Sequence, residues 1–201
     1  MNKELLHYIR LFDSISFRIS SRLFQEKNSL MVFAFHGLFR NENEKSLNLV
    51  DPRLWITYDD FLLFVEYYLN HDYLFVSPDD IINGLKNNAK YILITFDDGY
   101  FNNQNVLPIL KKYGIPAIFF VSINHLKDNK CFWWDVLYRE GIKMGMSIKE
   151  IDGLRSQLKK KKSEKCEQHL KDLFGENIYR PVCDIDRPFT LEELIDFSLE
   201  K

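Results

Sequence analysis

Apolar residues near the start of the chain recur at steps of three or four. Leu5, Ile9, Phe12, Ile15, Ile19 and Leu23 make one stripe, which predicts a helix from about Leu5 to Phe24. Arg10 and Arg18 lie off the stripe and Arg22 near its edge, so this segment (residues 1–28) fits a helix packed on a domain or one resting on a membrane surface or a partner. The pattern then changes to short apolar runs separated by capped helical stretches. Met31–Phe35, Tyr73–Val76, Tyr91–Phe96 and Ala117–Val121 read as strands buried on both faces. Thr57 caps a helix from Tyr58 to about Asn70, and Ser77-Pro78-Asp79-Asp80 opens another expected to run through Lys86. Val106, Leu107 and Leu110 have helical spacing, Pro108 is tolerable only near the first turn, and Gly114 ends that helix.

Strands alternating with helices predict an α/β domain on parallel strands, either an open sheet or a barrel. In both, chemistry gathers at the carboxyl ends of the strands, where His36 and the Asp97-Asp98 pair fall. The α/β core is expected over 29–126. The strand rhythm stops near Lys127, and 127–201 reads as a helical insertion after the fourth strand followed by a last helix. Phe132-Trp133-Trp134-Asp135 begins an aromatic cluster, Ser147 to Phe174 is charged and helical up to Gly175, and Thr190 with Glu193 makes a capping box.

Composition narrows the function classes. The chain is 46% hydrophobic and 28% charged with a formal net charge of -2, an ordinary globular balance that gives no general attraction to nucleic acid. The short basic run Lys159 to Lys162 reads as a solvated helix face. Cys131, Cys166 and Cys183 are widely spaced, which disfavours a disulfide scaffold or a paired-cysteine metal site. Neither a secretory leader nor an apolar run of membrane-spanning length is seen, so a cytoplasmic location is expected.

Two adjacent carboxylates at a strand end raise each other's pKa unless a cation stands beside them. A divalent metal removes that cost, taking one carboxylate as ligand and leaving the other to accept a proton. Gly99 lets the backbone turn sharply there. Asp-Asp-Gly alone is often only a turn.

Thr95-Phe96-Asp97-Asp98-Gly99-Tyr100, with Ile92-Leu93-Ile94 before it and the stretch from Val106 to Val121 after it, resembles the first motif region of the polysaccharide deacetylases, carbohydrate esterase family four. Phe35-His36-Gly37, Trp55-Ile56-Thr57 and Phe75-Val76-Ser77-Pro78-Asp79 resemble the family's lead-in, and Trp133-Trp134-Asp135 resembles an insertion that some members carry. The resemblance implies a distorted (β/α) barrel, present here in part, that removes N-acetyl groups from amino-sugar polymers. It makes Asp97 the general base and Asp98 a ligand of a divalent metal, zinc in many members, and it places His36 and Tyr100 against the sugar. The metal would polarise the acetamide carbonyl and steady the oxyanion.

Members also carry a His-x-x-x-His pair after the helix corresponding to Thr190 to Lys201. The histidines here are His7, His36, His71, His125 and His169, no two of them four apart. The expectation is therefore an N-terminal portion whose metal site is incomplete and whose activity alone is low or absent. A further segment or a partner chain would complete the barrel. A non-catalytic carbohydrate-binding or interaction module is the second reading. A nucleotide-sugar transferase is weaker, since no phosphate-cradling glycine-rich loop accompanies the carboxylates.

Overall fold

The computed structural model describes residues 29–200; the helix expected at the N-terminus lies outside them. Ser29–Phe35 (β1), Tyr73–Phe75 (β4), Lys90–Phe96 (β5) and Ala117–Phe119 (β6) form one parallel sheet, each close to its predicted range. The central strand is β5. β1 pairs along its whole length, from Ser29↔Lys90 to Phe35↔Phe96. On the other edge β4 pairs with the first half of β5 and β6 with the second half. The order β1-β5-β4 differs from the chain-order pairing of a regular barrel, so the described strands make an open α/β sheet. Two short strands, Leu38–Phe39 (β2) and Ile56–Thr57 (β3), add a separate parallel pair that no hydrophobic run had marked.

Parallel neighbours need crossover helices, and the sequence supplies capped ones. After a one-turn helix at Glu42–Lys45 (α1), Tyr58–Leu69 (α2) begins with a capping box between Thr57 and Asp60. Pro78–Ile82 (α3) begins with another between Ser77 and Asp80, but it stops short of Lys86 because the chain turns left-handed at Gly84, φ 95°. Leu107–Tyr113 (α4) carries Pro108 in its first turn and ends at left-handed Gly114, as expected. The helices cover one face of the sheet. Phe61 and Val65 of α2 and Ile109 and Leu110 of α4 pack on Ile92, Ile94 and Phe96 of β5. The Tyr113 hydroxyl donates to Glu66 Oε1 at 2.5 Å and ties α4 to α2.

The second face is different. In β1, Met31, Phe33 and Phe35 pack inward while Leu30, Val32 and Ala34 are exposed. Val32 is 58% exposed and Phe120, just beyond β6, 55%. The expectation that every strand is buried on both faces therefore fails for β1 and holds best for β5, whose neighbours flank it on both edges.

After β6 comes Ile123–Asp128 (α5), followed by Trp133–Lys143 (α6), Ile148–Leu158 (α7) and Ser163–Phe174 (α8); the last three build a core of their own around Val136, Leu137, Ile151, Leu158 and Leu170. A third cluster joins the halves: Phe39, Trp55 and Tyr100 meet Phe132 and Ile185. Leu191–Leu199 (α9) starts at the predicted box between Thr190 and Glu193. Among the described residues no helix is long and apolar enough to cross a membrane.

Candidate active site

The Asp97-Asp98 pair stands where β5 ends. The Asp97 amide donates to the Phe35 carbonyl at 2.8 Å, extending the β1–β5 ladder by one bond. The chain then turns through two left-handed residues, Asp98 at φ 73° and Gly99 at φ 81°. Aspartate tolerates that region better than most side chains. At Gly99 a Cβ would also lie 2.8 Å from Val121 Cγ1, so glycine is required for both conformation and space.

Backbone bonds clamp this turn from two sides. The Ser122 amide donates to the Asp98 carbonyl at 3.0 Å, and the Phe189 amide donates to the Gly99 carbonyl at 3.1 Å. The Phe101 amide donates in turn to the Arg187 carbonyl at 3.0 Å. The segment before α9 thus returns to pair with the turn, with Tyr100 opposite Pro188 as an antiparallel bridge.

A cleft of about 670 Å³ opens beside the turn on the exposed face of the sheet. Val32, Leu93, Ile118 and Phe120 form its apolar floor, and Asp97, Asp98 and Ser122 supply polar groups. Burial pushes the Asp98 carboxyl up to about 6; His36 opposes the rise and Asp97 adds to it. The end of β1 thus brings His36 within electrostatic reach of Asp98, although His36 is not among the residues that line the cleft. The Asn103 side-chain amide donates to the His36 carbonyl at 2.6 Å, and Asn102 Oδ1 accepts from the Leu38 amide at 3.3 Å.

Next to His36, Gly37 has no room for a side chain: a Cβ would stand 2.4 Å from two atoms of the Trp55 ring. That ring is wedged between Phe39 and Tyr100, at centroid distances of 5.0 and 4.7 Å, and cannot swing away. Gly37→Ala is expected to cost about 1–3 kcal/mol of stability as overpacking, read as a lower urea midpoint. An unchanged midpoint would show that the indole yields.

Tyr100 corrects an expectation. It is fully buried and presents no surface to a sugar. Its hydroxyl donates to Asp135 Oδ2 at 2.5 Å and accepts from Trp134 Nε1 at 2.9 Å. The ring points into the aromatic cluster because the residue after the turn carries its side chain away from the cleft.

Ser122 and Asp135 escaped the sequence reading. Ser122 precedes α5, yet its hydroxyl lies 2.8 Å from His125 Nδ1 and does not cap the helix. Asp135 had a readable signal, a carboxylate next to two tryptophans, which needs a partner if that cluster is buried. Among the described residues no group of three or more His, Cys, Asp or Glu side chains is gathered as a metal site would require.

Comparison with known proteins agrees with the motif. Residues 84–180 match the family model described as polysaccharide deacetylase. A Bacillus subtilis (strain 168) protein named "Putative polysaccharide deacetylase YxkH" is 52% identical over 44 residues, which span 20% of this chain and 16% of that protein. Among solved structures, a de-N-acetylase from Aggregatibacter actinomycetemcomitans is 27% identical with a TM-score of 0.41, over 49% of this chain and 39% of that one. The deacetylase PplD of Streptococcus pyogenes, in complex with acetate, is 24% identical with a TM-score of 0.40, over 51% and 45%. The chain thus spans less than half the length of these relatives.

Proposed function

Because residues 84–180 match the model of the polysaccharide deacetylase family, we propose that the chain is a member of it, and that its cleft receives an N-acetylated amino-sugar polymer and serves hydrolysis of the acetamide. The observation that carries this reading is the pair Asp97-Asp98 at the end of the central strand, lining an open cleft with an apolar floor. The floor suits the face of a sugar ring and its acetyl methyl group, and the carboxylates stand at its edge. In this reading Asp97 accepts the proton of a water whose oxygen bonds to the acetyl carbon. The C–N bond then breaks, the amine takes the proton, and acetate leaves. His36 contributes beside Asp98, and the exposed face of the sheet corresponds to the inside of a distorted (β/α) barrel.

The family resemblance implies a divalent metal, zinc in many members, with Asp98 as ligand. Zinc sites take three or four protein ligands, and the described residues do not gather that many. The metal therefore does not fit these residues as a complete site. The same observation favours a second reading, in which the chain binds the polymer and hydrolyses it poorly. Three free cysteines, two of them buried, fit the cytoplasmic placement.

A pentamer of β-linked N-acetylglucosamine is a suitable probe, with affinity read by calorimetry and acetate release by assay, each with and without added zinc. We expect measurable binding and slow release, with Asp97→Asn lowering release by about 10²–10⁴-fold while leaving affinity nearly unchanged, as loss of a general base should. Binding without release would select the module reading. Neither binding nor release would end both readings.

A further inference from the structure

Helix α6 reaches back to the carboxylate turn through two buried polar groups, Asp135 and Tyr100, and the half-buried Trp134, and we infer that Asp135 and Trp134 are positioning residues for Asp97 and Asp98, acting through Tyr100. The chain of contacts is short and complete. Trp134 Nε1 donates to the Tyr100 hydroxyl at 2.9 Å, and that hydroxyl donates to Asp135 Oδ2 at 2.5 Å. The other oxygen, Asp135 Oδ1, takes a long bond of 3.5 Å from the Asp51 amide. Tyr100 is 0% and Asp135 1% exposed. The Tyr100 ring is also gripped by Phe132 at 4.3 Å and Trp55 at 4.7 Å.

Two features separate this arrangement from ordinary core packing. The first is position: Tyr100 is the first residue after Asp98 and Gly99, both left-handed, so fixing its hydroxyl fixes where the turn ends. The backbone clamps at Ser122 and Phe189 hold the turn's carbonyls, and the Trp134–Tyr100–Asp135 chain holds the side chain that follows them. The second is chemistry. Burying a carboxylate among aromatic rings is unfavourable, and an apolar pair of similar volume would stabilise the core at least as well. What the carboxyl group adds is direction, since a short hydrogen bond at 2.5 Å fixes the phenol more tightly than packing alone. This gives the Trp133-Trp134-Asp135 stretch a task at the site from the far side of the third core. The inference rests on the cleft reading above for what the turn is used for.

The test uses the full chain, Tyr100→Phe, which removes one hydroxyl and keeps the ring, and Trp134→Phe as a second variant at a less buried position. NMR amide exchange reads the turn directly through the Ser122 and Phe189 amides, with the Val76 amide, bonded to the Ile92 carbonyl, as a remote control. In Tyr100→Phe the two turn amides are expected to exchange about tenfold faster and Val76 at its former rate, because losing one strong hydrogen bond loosens a local unit without opening the whole domain. Affinity for the N-acetylglucosamine pentamer falls in parallel, by about fivefold for the same lost bond. Trp134→Phe shows the same pattern at smaller size and carries the test if Tyr100→Phe does not fold. Turn amides and affinity unchanged in both variants would overturn the inference. So would all three amides accelerating together, the mark of general destabilisation. A wild-type chain that does not bind the pentamer overturns the cleft reading and the positioning role with it, whereas a binding wild type matched by both variants overturns the positioning role alone.

Discussion

Arg139→Met is expected to lower the stability of the chain by about 3–5 kcal/mol, the cost of removing one partner from a buried ion pair. Arg139 lies on α6 with its side chain 3% exposed, and its Nη1 donates to Asp186 Oδ2 at 2.5 Å, where the carboxylate is 0% exposed. Nη2 donates to the Ile178 carbonyl at 2.5 Å. Methionine fills much of the same volume and is a good helix former, so neither a large cavity nor helix propensity accounts for the loss. What remains is an uncompensated charge. Asp186 would keep the Val182 and Cys183 amides, at 3.0 and 2.9 Å, and the Cys131 thiol at 3.3 Å. That thiol is no substitute cation: burial, with Asp186 adding to it, pushes its pKa well up and keeps it protonated. A domain of this size is stable by only about 5–15 kcal/mol, so the urea midpoint should drop by about a fifth or more. Adding Asp186→Asn to the variant removes the stranded charge and should recover about 1–2 kcal/mol. A loss below about 1 kcal/mol in the single variant would show that water reaches Asp186 and that the pair is not sealed.

The same pair bears on the site. Asp186 holds the loop that leads to Arg187, Pro188 and Phe189, the segment whose backbone pairs with Gly99 and Phe101. Stability lost at Arg139 should therefore appear at the turn, which lies across two elements from it.

Local rules in the sequence carried far. The caps at Thr57, Ser77 and Thr190 and the left-handed stop at Gly114 each need only a few neighbouring residues, and each stands where the residues placed it. So does the Asp97-Asp98 turn, which a buried strand followed by glycine announces. Strand order was not legible in the same way. Nothing in Tyr91–Phe96 states that its full-length neighbour is Ser29–Phe35 and not the nearer Tyr73–Phe75, since pairing is decided by the crossovers and by packing on α2 and α4. The two-residue strands β2 and β3 were hidden for a related reason: neither run is long enough to show a period. Tyr100 misled because motif membership suggested contact with a ligand, whereas the direction of its side chain depends on a partner 35 positions away. The return of Arg187 to Phe189 onto the turn shows no periodic signal at all; it is backbone pairing by an otherwise irregular stretch.

Raising the pH from about 4.5 to 8 is expected to destabilise the wild-type chain more than Asp135→Asn, and the sign follows from burial. Burial is the main cause that pushes the Asp135 carboxyl up to about 7, with Asp98 and Asp186 adding to it and the bonds from Tyr100 and the Asp51 amide opposing it. Between the ordinary aspartate range near 4 and that value, the folded state holds a proton that the unfolded chain has released, so unfolding is increasingly favoured as pH rises. At about 1.4 kcal/mol per unit the upper bound is roughly 4 kcal/mol, and relaxation around the site brings the expected change to about 2–3 kcal/mol. Asp98, raised to about 6, acts in the same direction and remains in the variant, so the variant's own profile still slopes, less steeply. Carboxylates held low act elsewhere. Burial tends to raise Asp51, but Arg53 and Arg155 bring it below the usual range, and the Arg53 hydrogen bond holds Asp152 down; their contributions are lost only as pH falls below that range. At pH 4.5, where Asp135 is protonated and still bonded to Tyr100, the variant should be the less stable by about 1 kcal/mol for an imperfect hydrogen bond. At pH 8 the order should reverse, with the variant ahead by about 1–2 kcal/mol. Urea titrations at the two pH values measure both differences, and parallel profiles would show that Asp135 titrates as an ordinary carboxylate. A crossing would mean that the chain carries, directly behind its carboxylate turn, a group that weakens the fold at neutral pH, as groups placed for function rather than stability commonly do.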